Sequence, residues 1–103
     1  MDKAKWKRLR DEGWKEGTVA EFLDLTPEEA AYVELKLQLS DAVRSLRRKS
    51  KLTQAQFAEL LSSSQSRVAK IEAGDPSVSL DLLTRSMLAL GASKKEVARA
   101  LAR

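Results

Sequence analysis

An all-α fold is predicted by three features of this 103-residue sequence. Helix breakers are few: four glycines and two prolines. The β-branched and aromatic runs that mark strands are nearly absent. Ser or Thr recurs just before stretches of good helix formers, where N-caps belong. Hydrophobic residues make up 43%, enough for a packed core and too many for a disordered chain. The length suits one domain, or one domain with an appendage.

Residues 3–12 read as a short charged helix stopped by Gly13. Residues 14–17 form a loop. Thr18 caps a short helix over 19–23, with Glu21 at the capping-box position and Phe22 and Leu23 as apolar anchors. Thr26-Pro27-Glu28-Glu29 is the clearest helix start in the chain. Thr26 accepts from the third helical amide, Pro27 takes the first position where its missing N–H costs nothing, and Glu29 completes the box. A conflict follows. Val33, Leu35, Leu37 and Leu39 alternate with polar residues, which is a strand pattern. The cap, the Leu/Lys/Glu/Gln content and the lack of a turn before 40–49 favour one long helix. On it Leu35, Leu39, Ala42 and Leu46 fall in one stripe about 60° wide, with Val33, Leu37 and Ala30 opposite. A helix apolar on both sides needs two partners. One is the domain core; the other is the Trp6/Trp14/Phe22 segment or a second copy of the chain.

Four compact helices are expected next, over 53–61, 64–73, 80–90 and 94–101. Thr53, Ser64, Ser79 and Ser93 stand at their N-caps, and Gly74 and Gly91 where helices end. In the last helix Val97 and Leu101 form a short apolar stripe, a second surface on which two copies could pair.

Charge divides the chain. Residues 1–35 hold six basic and nine acidic side chains, a net of −3; residues 36–103 carry the remaining charges, a net of +7. An N-terminal helical extension (1–35) and a basic domain (36–103) are therefore expected, and the basic part favours a polyanion or is simply a soluble surface. There is no Cys and no His. Disulfides, thiolate chemistry, imidazole bases and His/Cys zinc sites are excluded, and no calcium-type Asp loop is present. No metal or cofactor is expected. The longest apolar runs are two or three residues, so no membrane span is expected. Without a hydrophobic signal region the chain is expected in the cytoplasm.

Residues 52–74 read Leu-Thr-Gln-Ala-Gln-Phe-Ala-Glu-Leu-Leu-Ser-Ser-Ser-Gln-Ser-Arg-Val-Ala-Lys-Ile-Glu-Ala-Gly. Two short helices are joined by small polar residues. Phe57, Ala58 and Leu61 can meet Val68 and Ile71, and the small Ala58 lets the helices cross closely at a steep angle, as a helix-turn-helix requires. The stretch resembles the helix-turn-helix of the Xre family, the lambdoid phage repressors and Cro. The shared pattern is Leu-Thr-Gln, then a small Ala, then Ser-Gln-Ser, then Ile-Glu-x-Gly. About 65 residues, 37–101, fit that family's five-helix domain. The front segment, with Glu-Phe-Leu-Asp-Leu-Thr-Pro-Glu-Glu-Ala, resembles a subgroup that includes HigA-like antitoxins. Two positions depart from the pattern. Ser62 replaces a frequent turn glycine, so the turn must tolerate a side chain. Lys51 replaces the glycine before Leu-Thr-Gln, so that helix is expected to end without its preferred left-handed residue.

In the second helix of the motif Val68 and Ile71 point inward. Ser66, Ala69, Lys70 and Ala73 lie opposite, with Gln65 and its cap Ser64 at the leading end. Gln65 and Ser66 can reach base edges, and the Gln amide matches adenine bidentately. Ala69 and Ala73 allow close approach. Arg67 and Lys70 reach phosphate or guanine. A solvated helix face is the plainer alternative. The resemblance implies a DNA-backbone contact for Gln54, which a helix N-terminus supports, with Thr53 as N-cap beside the phosphate. It also implies a structural ion pair between Arg47 and Glu72. Arg44, Arg48, Lys49 and Lys51 gather at the end of the long helix, where they either offset its dipole or contact phosphate. The two tryptophans sit in the acidic segment and read as packing groups, not as stacking platforms for single strands.

The expected function is sequence-specific binding of double-stranded DNA by a homodimer that represses transcription, with half-sites ~34 Å apart. The rival is an antitoxin that sequesters a basic toxin protein through the acidic front segment and autoregulates its operon. An enzyme built on Asp24, Glu28 and Glu29 is not expected, because these serve as loop and cap residues.

Overall fold

The computed structural model describes residues 25–102, and among them every regular element is a helix. The helices expected over 3–12 and 19–23, with Trp6, Trp14, Phe22 and Leu23, lie outside the described residues. The helices are α1 (Pro27–Lys49), α2 (Gln54–Leu60), α3 (Gln65–Ala73), α4 (Leu80–Ala89) and α5 (Lys94–Ala102). The chain divides into two units, Met1–Leu35 and Lys36–Arg103.

In the first unit, α1 begins as its sequence dictates. The Glu29 amide donates to Thr26 Oγ1 and the Thr26 amide to Glu29 Oε1, both at 3.1 Å. The alternating apolar pattern is overridden by this cap and the helix formers behind it. Val33 is fully buried here, and Leu37, at the start of the second unit, is half-buried.

In the second unit the core is built from one stripe of each helix. Leu39, Ala42 and Val43 come from α1, Phe57 and Ala58 from α2, Val68 and Ile71 from α3, Leu83 and Met87 from α4, and Val97 and Ala100 from α5. Val43, which the expected stripe omitted, is fully buried. Each large aliphatic or aromatic member contributes about 1.5–3 kcal/mol by leaving water. Val97 is buried and Leu101 packs half-buried against this core, so the expected apolar stripe of α5 faces the unit's own core. Leu60 and Leu88 remain exposed. Ser86, fully buried, donates to the Leu82 carbonyl at 2.8 Å. Ser40 is equally deep, and its hydroxyl has no hydrogen-bond partner.

The caps follow the sequence. Thr53 accepts from the Gln56 amide at 3.1 Å while Gln56 Oε1 accepts from the Thr53 amide at 2.8 Å. Ser93 and Glu96 form the same reciprocal box, and Ser64 and Ser79 accept from the amides of Arg67 and Leu82. The four helices that lead into a further helix all end in one kind of turn. A residue in the left-handed region follows the helix, and the next amide closes on a carbonyl five residues back: Leu52 on Arg47, Ser63 on Ala58, Asp75 on Lys70 and Ala92 on Met87. The left-handed residues are Lys51 (φ 59°), Ser62 (φ 53°), Gly74 (φ 70°) and Gly91 (φ 92°). The expectation that α1 ends without a left-handed residue is therefore corrected. The backbone keeps the geometry and Lys51 adopts it, because satisfying the last carbonyls outweighs the strain at Cβ.

Candidate nucleic-acid interface

The helix-turn-helix is formed by α2, the connection 61–64 and α3. Ala58 is 4% exposed at the crossing, where a larger side chain would hold the helices apart. Val68 and Ile71 anchor α3 to the core, which turns its other face outward. On that face Gln65, Ser66, Arg67, Lys70 and Ala73 are exposed and Ala69 is half-buried. Ser64 Oγ holds the Arg67 amide and lies 3.2 Å from Ser66 Oγ, which fixes the tip of the helix.

The only carboxylate on α3, Glu72, is removed from this face. It is buried, with its side chain 3% exposed, and Arg47 of α1 meets it with two nitrogens, Nε on Oε2 and Nη2 on Oε1 at 2.9 Å. Arg47 Nη1 also donates to the Leu52 carbonyl at 2.8 Å. The hydrogen bonds to Glu72 hold the guanidinium pKa above its ordinary value, against the opposing pull of burial. The ion pair implied by the family resemblance is thus present, and it ties the end of α1 and the start of α2 to the end of α3. Gln54 joins it, with Nε2 3.3 Å from Glu72 Oε1. This contact was not legible in the sequence. In this structure the Gln54 amide is engaged with Glu72, so a phosphate contact must share or displace that bond.

Ser64, Ser66, Arg67 and Lys70 line one concavity of about 260 Å³, and Ser77 and Val78 from the connection 74–79 complete it. Sequence reasoning missed Ser77. The signal was there: Asp75-Pro76-Ser77 has Asp and Pro at the first two places of a turn. The Val78 amide closes that turn on the Asp75 carbonyl at 3.1 Å, and Asp75 Oδ1 accepts from both the amide and the hydroxyl of Ser77. Lys36, 6% exposed, donates from Nζ to the Pro76 carbonyl at 3.3 Å. Burial lowers its pKa, and the nearby Asp75 carboxylate offsets part of that.

The basic residues at the end of α1 do not act as one patch. Arg44 pairs with Asp41 at 3.7 Å, with both side chains largely exposed, so the pair contributes little stability. Lys49 borders a different feature, an apolar-floored groove between α1 and α5 lined also by Leu46, Met87, Arg99 and Ala100. Arg48 and Lys51 are exposed just before Thr53 and Gln54 at the start of α2.

A family model described as a helix-turn-helix domain matches residues 38–100. The chain belongs to this helix-turn-helix domain family. No curated protein and no solved structure matches the chain. A helix-turn-helix domain with a basic, carboxylate-free recognition face fits a DNA-binding regulator. Among the described residues no helix is long and apolar enough to cross a membrane.

Proposed function

We propose that the chain is a sequence-specific regulator of the Xre type that binds double-stranded DNA and represses transcription as a homodimer. One observation carries this reading. α3 exposes Gln65, Ser66, Arg67 and Lys70 on one face, while its single carboxylate is buried against Arg47. A helix that lies in a groove flanked by phosphates must present donors and cations without an opposing charge. Gln65 and Ser66 read base edges; Arg67 and Lys70 hold phosphate or guanine; Arg48 and Lys51 meet the backbone beside Thr53 and Gln54. One recognition helix spans only a few base pairs, so operator-level affinity requires a second protomer on a half-site ~34 Å away.

Selection of duplexes from a random library, with the mass of the complex measured alongside, tests this reading. A two-fold symmetric sequence bound by two chains is expected, with log K falling steeply against log salt. No enrichment together with a flat salt slope would overturn it. On the selected site Gln65→Ala is expected to cost ~1–3 kcal/mol and to relax one base position, whereas Lys51→Ala weakens all sequences alike.

The net charge of −3 on residues 1–35 favours one further role, holding a basic toxin protein while the domain autoregulates the operon. Co-purification of the product of a neighbouring gene tests it; two neighbours that both fail to bind would remove it.

A further inference from the structure

We infer that a track for the phosphates of one DNA strand runs along one flank of α3 and ends on α4. There Arg85, with the hydroxyls of Ser62 and Ser63, receives a phosphate beyond those met by Arg67 and Lys70. The inference rests on the DNA-binding reading above and adds α4 to that interface. Beside the concavity of Ser64, Ser66, Lys70 and Ser77 lies a second one, of about 510 Å³. It is framed by the turn of the motif, α3 and α4, and Ser62, Ser63 and Arg85 line it. Arg67 lines both. At about 100° per residue, Lys70, Arg67 and Ile71 follow in that order round α3, from its outward face to its buried one. The two concavities therefore adjoin along one flank, with Arg67 as their common wall.

The chemistry of the second concavity is that of an anion seat. Two guanidiniums and two hydroxyls line it, and no carboxylate is among its lining residues. Leu61, Ile71 and Leu82 give it an aliphatic floor, which thins the water round the guanidiniums and strengthens their pull on a charge. Arg85 has one ion pair, with Asp81 one turn back. It is 3.8 Å long with the side chains 73% and 78% exposed, a contact worth little. A phosphate offers the guanidinium two oxygens at once. Each strand of a duplex carries a phosphate for about every 3.4 Å of axis, so a helix in its groove is bordered by a run of charges. The cations from Lys70 through Arg67 to Arg85 answer such a run, where an isolated cation would meet only one member of it.

The test uses the full chain and a mixed-sequence duplex of about 20 base pairs, titrated between about 50 and 200 mM salt, with thermal melts recorded alongside. Arg85→Gln is expected to melt with the parent chain, because its side chain is 73% exposed. The slope of log K against log salt is expected to shrink by about 0.9, and binding at the lowest salt to weaken about 5–10-fold. Arg85→Lys keeps the charge and is expected to keep the slope. Arg99→Gln removes the same charge from α5, where Arg99 borders the groove against α1 and neither of these concavities. It is expected to change the slope by less than about 0.3. An unchanged slope in Arg85→Gln, or an equal fall in Arg99→Gln, overturns the proposal and leaves α4 outside the interface. On the selected site Arg85→Gln is expected to lower affinity with base preference intact; an altered preference places Arg85 on a base edge and also overturns it. If the parent chain binds no duplex, or binds with a flat salt slope, the DNA-binding reading itself has failed and the track falls with it.

Discussion

Helices α1 and α2 end on side-chain-bearing residues, Lys51 and Ser62, in the same left-handed turn that α3 and α4 make with Gly74 and Gly91. For an L-residue with a Cβ this conformation costs roughly 1–2 kcal/mol, so the two pairs are held by different means. At Gly74 and Gly91 the residue itself suits the turn. At Lys51 and Ser62 the surroundings impose it. Arg47 holds the Leu52 carbonyl while bound to Glu72, and the Thr53 capping box follows at once. Beyond Ser62, Ser63 closes on Ala58 and Ser64 caps α3. The two imposed ends bracket α2, the first helix of the motif. At Lys51 the tertiary Arg47–Glu72 link supports the turn, and at Ser62 the bonds of the turn itself do, so neither position requires a glycine.

The largest expected effect breaks the imposed pair. Glu72→Ala removes the partner of the partly buried Arg47 guanidinium and loosens the support of the Lys51 turn, and denaturant unfolding should show a loss of about 2–3 kcal/mol. A loss under about 1 kcal/mol would mean that the Lys51 turn stands without the network. Next comes the glycine pair. At Gly91, φ is 92° and a Cβ would meet no atom within 4 Å, so Gly91→Ala carries a backbone penalty alone. It is expected to cost about 1–2 kcal/mol, or several degrees of melting temperature, with DNA affinity unchanged. Lys51→Gly sharpens the contrast, because its two effects oppose each other. Relief of the left-handed side chain should stabilise the fold by about 0.5–1 kcal/mol, while loss of the cation reduces the salt slope of DNA binding by about one. Ser62→Gly should give the stability gain without the second effect. The smallest change lies outside all four turns. Ser40→Ala removes a buried hydroxyl that lacks a partner, and its melting temperature should stay level or rise by an amount worth at most about 1 kcal/mol.

The elements of residues 25–102 were legible because their signals are local. Thr26/Glu29 and Thr53/Gln56 mark helix starts within four residues of sequence, and Ser64, Ser79 and Ser93 do the same alone or with one partner. The outward face of α3 was legible for the same reason, since Val68 and Ile71 set the rotation of the helix. What escaped is long-range. Gln54 meets Glu72 eighteen residues away and Lys36 meets Pro76 forty residues away, and nothing in the local pattern of either residue points to such a partner. The Arg47–Glu72 pair is as remote, and only the family resemblance implied it. Lys51 was misjudged because a residue's own preference was taken to decide a conformation that the helix end and its neighbours decide instead. The stripe of Val97 and Leu101 shows the same limit: a stripe on a helix shows that it is covered, not by what.

The four closed turns also bear on how the domain meets a partner. In many proteins the segments between helices are where amides exchange with solvent and where disorder must be frozen on association. Here the amides of Leu52, Ser63, Asp75 and Ala92 are each tied back into the preceding helix. These connections should therefore resist hydrogen–deuterium exchange much as the helix ends do. Residues 36–102 then arrive at the double helix already shaped, so little of the binding energy goes into ordering loops and association can be fast.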